Sequence, residues 1–163
     1  MDKLFRAISR GLAVAASIWA APALATQLVS FLITAPVAGI VSAPLQFREG
    51  NPQSAIVQCA FTFGGGGLTA DAWIQTSLDD GATWTDVANC HFTTASARFL
   101  YNLSALTPKI TEVIPTDGAL AANTAIDGFV GPLWRIMATT TGTYTGGTTM
   151  RVDVSATGRL TAP

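Results

Sequence analysis

From Ala55 onward, apolar and polar residues alternate with a period of two, the spacing of strands that bury one face. In Ala55–Phe63, Val57, Cys59, Phe61 and Phe63 share one side, and Ile56, Gln58, Ala60 and Thr62 the other. Ala70–Thr76 and Thr83–Phe92 read as the two arms of a hairpin. Arg98–Leu103 is a further alternating run that aligns Phe99, Tyr101 and Leu103. Leu133–Thr139 is rich in strand formers, Gly146–Gly147 supplies a tight turn, and Thr149–Ala156 returns with Met150, Val152, Val154 and Ala156 on one face. About seven short strands separated by close turns predict an all-β fold. The expected form is an antiparallel β-sandwich, immunoglobulin-like or jelly-roll-like, with a barrel as the alternative.

Two interruptions stand out. Gly64–Gly67 carries no side chains to pack and is expected to be a flexible loop. Residues 107–132 hold Pro108, Pro115, Gly118, Gly128, Gly131 and Pro132 and read as a long excursion. Loops of that length in a compact domain are usually functional or contact-forming. Within it, Ala119–Ala125 is expected to make a helical turn.

The first 25 residues have two readings. Lys3, Arg6 and Arg10, an apolar stretch over Gly11–Ala21 and the small-residue run Ala23-Leu24-Ala25 match a secretory signal peptide ending at Ala25. Alternatively, Leu4, Phe5, Ile8, Leu12 and Ala15 recur at the spacing of one helix face, which suits a retained apolar arm. Such an arm would place those residues and Trp19 at an interface with partner subunits. Gln27–Pro44 reads as an extended lead-in that includes at most a first strand. The expected division is therefore an arm or signal peptide plus lead-in over 1–40, and a β domain over 41–163.

The hairpin segment Ser77-Leu78-Asp79-Asp80-Gly81-Ala82-Thr83-Trp84 fits the pattern Ser-x-Asp-x-Gly-x-Thr-Trp and resembles the Asp-box of sialidases and many other β proteins. Asp79 is suited to accept backbone N–H groups of the turn, and Gly81 to take a positive φ. The Ser77 and Thr83 hydroxyls are expected to pair across the strand ends, and Trp84 to cover the turn. In glycosidases this motif lies away from the catalytic site and recurs once per propeller blade. A single copy, without an arginine cluster or a Tyr-acid pair, points to a folding device.

Composition narrows the chemistry. Hydrophobic residues make up 49% of the 163 and charged residues only 12%, with a net charge of −1. Without a basic patch, a nucleic-acid partner is not expected. So few charges repel little and suit a protein that packs against neighbours. Cys59, Cys90 and His91 cannot supply a structural zinc site, and Asp79, Asp80 and Asp86 lack the spacing of a calcium loop. Neither cofactor nor catalytic residues are expected. Cys59 and Cys90 read as two small buried hydrophobes or, more sharply, as a disulfide between neighbouring strands that requires an oxidising compartment. Cys90 and His91 are adjacent on a strand, point to opposite faces, and so cannot pair as nucleophile and base.

Over about residues 55–156, the chain resembles small virion proteins of tailed bacteriophages. The resemblance rests on a W-x-Q-T-S-x-D-x-G-x-T-W hairpin, Trp73–Trp84, and a W-R-x-x-x-T-T-T-G-T-Y-x-G-G-T-T hairpin, Trp134–Thr149. It implies a non-enzymatic accessory role in the head or tail, such as a capsid decoration or cement subunit. The implied partners are capsid or tail proteins and copies of the chain itself. The second function carried forward is a secreted or periplasmic binding domain, with glycan as one ligand class. A membrane enters only if the N-terminal segment is a signal peptide.

Overall fold

The structure, a computed structural model, describes residues 26–33, 35–47, 52–156 and 160–161. The twelve strands in chain order are β1 (Thr26–Leu32), β2 (Ile40–Val41), β3 (Leu45–Phe47), β4 (Ser54–Thr62), β5 (Gly65–Gly66), β6 (Thr69–Ser77), β7 (Thr85–Phe92), β8 (Ala97–Ser104), β9 (Leu133–Thr141), β10 (Tyr144–Thr145), β11 (Thr149–Ala156) and β12 (Leu160–Thr161). Six of the long strands, β4, β6, β7, β8, β9 and β11, are those the alternation marked, with ends shifted by a residue or two.

Two antiparallel sheets carry the domain. One has the order β1-β11-β4-β8, and the other runs β12-β3-β9-β6-β7 with β2 also on β9. Taking β2 and β3 as one interrupted strand gives eight principal strands. Their order is first-eighth-third-sixth in one sheet and second-seventh-fourth-fifth in the other. That is the strand order of a jelly roll. An immunoglobulin-like sandwich would put the last strand in the opposite sheet from the first. Here β11 lies between β1 and β4, so the jelly-roll alternative is the one realised.

Because β1 pairs with β11 from Thr26 to Leu32, the sandwich begins before residue 40. The expected boundary at 40/41 is corrected accordingly: part of the lead-in is an integral strand. The proposed arm residues Leu4, Phe5, Ile8, Leu12 and Trp19 lie outside the described residues.

The core forms where the inward faces meet. Val57, Cys59 and Phe61 of β4, Leu103 of β8, and Met150, Val152 and Val154 of β11 are buried against Ala72, Ile74, Ala88, Cys90, Phe92, Trp134, Ile136 and Ala138. The alanines leave room for rings: Phe61 stacks on Phe92 at 5.0 Å between centroids, and Phe92 on Phe99 at 5.1 Å. Cys59 and Cys90 are joined by a disulfide with Cα atoms 6.4 Å apart. It links β4 to β7, on opposite sheets and not on neighbouring strands as expected, so it staples the two layers through the core.

Two loop expectations are overturned. Gly64–Gly67 is not a flexible loop, since Gly65 and Gly66 form β5 and pair with Thr145 and Tyr144 of β10. A Cβ on Gly64 would overlap the Gly146 carbonyl, and one on Gly67 the Tyr144 ring. Glycine is required there for close approach of two chain segments. Ala119–Ala125 forms no helix but a tight turn at residues 122–123, with Asn123 at φ +53°; the Thr124 carbonyl accepts the Asn89 N–H, and Ala125 bridges Ala88.

Candidate functional site: the loop end of the sandwich

The β6–β7 hairpin turn and the long connection from β8 to β9 emerge at the same end of the sandwich. The turn is tied internally. The Ser77 hydroxyl donates to Asp79 Oδ1 at 2.8 Å and accepts from the Gly81 N–H at 2.9 Å. Asp79 also accepts the Thr83 N–H at 2.9 Å and the Thr83 hydroxyl at 2.6 Å. The two hydroxyls therefore do not pair with each other, as the sequence suggested; each binds the carboxylate between them. These bonds, the Thr83 hydroxyl foremost, hold the Asp79 carboxyl down to about 2. Gly81 has φ +88° and its neighbour Asp80 +55°. The Trp84 indole N–H donates to the Gly81 carbonyl at 3.1 Å, and the Arg135 guanidinium lies 4.3 Å over its ring. All five motif residues act on the turn.

Beneath the long loop lies a row of polar side chains that sequence reasoning missed. Across the outer face of β9, β6 and β7, Arg135 pairs with Gln75 and Gln75 with Asp86. Gln75 Nε2 donates to Asp86 at 2.7 Å, and Arg135 Nε donates to Gln75 Oε1 at 2.7 Å. Asp117 of the loop closes the row, accepting from Gln75 at 2.6 Å and from Arg135 at 3.1 Å. Asp86 owes its position to a bulge. Ile74 pairs with Ala88 but Gln75 with Asp86, so Val87 is an extra residue that turns Asp86 from the core to the outer face. The available signal was a lone carboxylate inside a strand, which must be paired if buried.

Asp86 is fully buried and receives three consecutive backbone N–H groups of the loop, from Gly118, Ala119 and Leu120, at 2.9 to 3.1 Å. The Leu120 carbonyl accepts from both Trp73 Nε1 and Asn89 Nδ2. Further along, the loop pairs with the edge of β7: Asp86 N–H to Thr116 O, Asn89 N–H to Thr124 O, and Ile126 N–H to Val87 O. At its start, Asp127 accepts from the Ser104 N–H and from the Thr107 hydroxyl. The hydroxyl is the main reason that carboxyl titrates below its ordinary range. The base of the loop is therefore fixed to β6, β7 and β8.

Between and beside these anchors, large apolar side chains are exposed. Leu106, Ile110 and Ile114 are 71%, 95% and 78% exposed. Next to Ile114, Val113 and Pro115 line a hollow of about 110 Å³ together with Leu78 of the hairpin, Thr76, Thr85 and Phe129. Large apolar side chains thus stand in water between the anchored parts of the loop.

The remaining candidate chemistry is spent on structure. Cys90 points into the core, while His91 faces outward and its Nδ1 lies 2.8 Å from Asp71. No hydroxyl or thiol is hydrogen-bonded to that imidazole among the described residues. Trp134 is buried, and Trp73 is half-buried with its indole N–H donated to the Leu120 carbonyl of the loop. Among the described residues no cluster of His, Cys, Asp and Glu is placed to hold a metal. In the same residues, no helix is long and apolar enough to cross a membrane. No protein-family model matches this chain, and no curated protein matches it significantly.

Proposed function

We propose that this chain is a non-enzymatic virion structural protein of a tailed bacteriophage, a capsid decoration, cement or tail-associated subunit that binds its neighbours through the long loop and the N-terminal arm. The observation that carries the reading is the contrast within residues 105–132. The base is tied down by carboxylates and backbone pairing, while Leu106, Ile110 and Ile114 stand in solvent. Exposed apolar side chains of this size mark a contact surface, and anchoring both ends of the loop limits the chain entropy lost when a partner covers them. The jelly-roll order is compatible with this role, being common among capsid domains, although a fold alone names no function.

The Cys59–Cys90 disulfide favours a second reading, a secreted or periplasmic binding domain. One experiment separates the two. Particles purified from the source are probed for the chain by intact-mass analysis, in parallel with a Leu106→Ser/Ile110→Ser/Ile114→Ser variant. The virion reading expects the chain on particles in fixed stoichiometry, and a folded variant that no longer binds them. A mature chain starting at Thr26, found outside the cell and absent from particles, overturns it in favour of the second.

A further inference from the structure

Among the described residues, the sandwich leaves one long sheet edge open. On β7, the outward N–H groups of Asp86, Asn89 and His91 are taken by Thr116 O, Thr124 O and Asn123 Oδ1 of the long loop. The carbonyls of Val87 and Asn89 are taken by the Ile126 N–H and the Tyr101 hydroxyl. The opposite edge of the other sheet, β1, is broken by a register shift between Gln27 and Val29. Covering loops and bulges are the usual protections of an edge. β8 has neither along most of its length. It pairs with β4 without a shift from Ala97 to Ser104 and contains no proline.

The ladder parity shows which groups of β8 are unused. The Ala105 N–H bonds the Gln53 carbonyl, so alternate residues 105, 103, 101 and 99 face β4. Residues 104, 102, 100 and 98 then turn their N–H and C=O groups outward. Ser104 confirms the parity, because its N–H goes to Asp127 and its carbonyl to the Gly128 N–H. The main-chain groups of Arg98, Leu100 and Asn102 have no such partner among the described residues. Their side chains lie on the outer face of the sheet, where Leu100 is 62% exposed and Ile56 is 50% exposed.

We propose that the open edge of β8 is a homodimer interface, in which two copies pair antiparallel about a two-fold axis at Leu100. The segment is self-complementary in that register. Leu100 faces Leu100 of the second copy, and Arg98 faces Asn102 of the second copy on both sides of the axis. All the outward N–H and C=O groups of residues 98, 100 and 102 find partners, the two leucines gain an apolar neighbour, and no like charges meet. The two four-stranded sheets become one continuous sheet. So short an edge makes a modest interface, so association follows concentration and is strongest where copies are crowded. This inference does not depend on the virion reading, since a secreted chain would pair the same way.

The test is sedimentation velocity of the full chain over a concentration series, with three variants. Leu100→Pro removes an outward N–H that the fold does not use, a change that edge strands tolerate. Asn102→Arg sets a second guanidinium against Arg98 of the second copy on both sides of the axis. Adding Arg98→Glu to Asn102→Arg replaces both repulsions with opposite-charge pairs. The expected result is a wild-type dimer whose fraction rises with concentration. Its affinity should fall tenfold or more in Leu100→Pro and Asn102→Arg, and recover in the charge-swapped double variant. Circular dichroism confirms that each variant is folded. A wild-type chain that stays monomeric throughout overturns the proposal, and so does an association indifferent to the Asn102→Arg and double variants.

Discussion

The Asp86 carboxylate accepts the backbone N–H of Gly118 at 2.9 Å, across 32 residues of chain, and thereby fastens the long loop to the sheet. Gly118 has φ +75°, a conformation that favours glycine, and a Cβ there would have to push the Met137 methyl aside. Asp86→Ala should strand three loop N–H groups and cost on the order of 3 kcal/mol. Hydrogen exchange checks it directly: the amides of Gly118, Ala119 and Leu120 should lose protection before the strands do.

The disulfide closes a loop with a sequence separation of 31 residues. Loop-closure entropy assigns such a cross-link about 3–4 kcal/mol. Cys59→Ala/Cys90→Ala should therefore lower Tm by on the order of 10 °C in a chain of this size. A reductant should lower the wild-type Tm similarly and leave the double variant unmoved.

The Asp79 carboxyl, held at about 2 against an ordinary 3.8, makes the hairpin sensitive to acid. A depressed carboxylate contributes stability that is complete above its unfolded value and lost as pH falls through its folded one. The contribution should disappear between about pH 4 and pH 2. Carbon-detected NMR of the Asp79 carboxyl should show the low midpoint. Asp79→Asn should melt below wild type at pH 7 and converge on it near pH 2.

Two glycines separate two kinds of constraint. At Gly81 a Cβ would meet Trp84 at 3.5 Å and Leu133 at 3.7 Å, ordinary contacts, so Gly81→Ala should cost only the positive φ, about 1 kcal/mol. Gly81→Val should cost more, because a β-branched side chain is worse suited to that φ. At Gly64 the obstacle is the backbone of Gly146, which cannot rotate away. Gly64→Ala should cost more than Gly81→Ala and disturb the β5–β10 pairing, which chemical shifts at Tyr144 and Thr145 would report.

Much of the fold was legible because a strand with one wet face writes its own alternation. Met150, Val152, Val154 and Ala156 are buried as their spacing required, and Arg151 is exposed. The hairpin was legible for a similar reason, since the turn bonds among Ser77, Asp79, Gly81, Thr83 and Trp84 each span only a few residues. The row under the loop was not. Gln75, Asp86, Asp117 and Arg135 come from four stretches of chain, and Asp86 joins them only because Val87 bulges.

The sequence by itself thus determined the six long strands from Ser54 to Ala156, which face of each is apolar and how the Ser77–Trp84 turn is built, because these depend on neighbours a few residues away. The tertiary structure alone decided the jelly-roll order, the closure of Cys59 onto Cys90 across the layers, the packed role of Gly64–Gly67 and the anchoring of the long loop by Asp86. Each of these depends on partners tens of residues distant. Alternation says that a strand must bury one face, and it is silent on which strand will cover it.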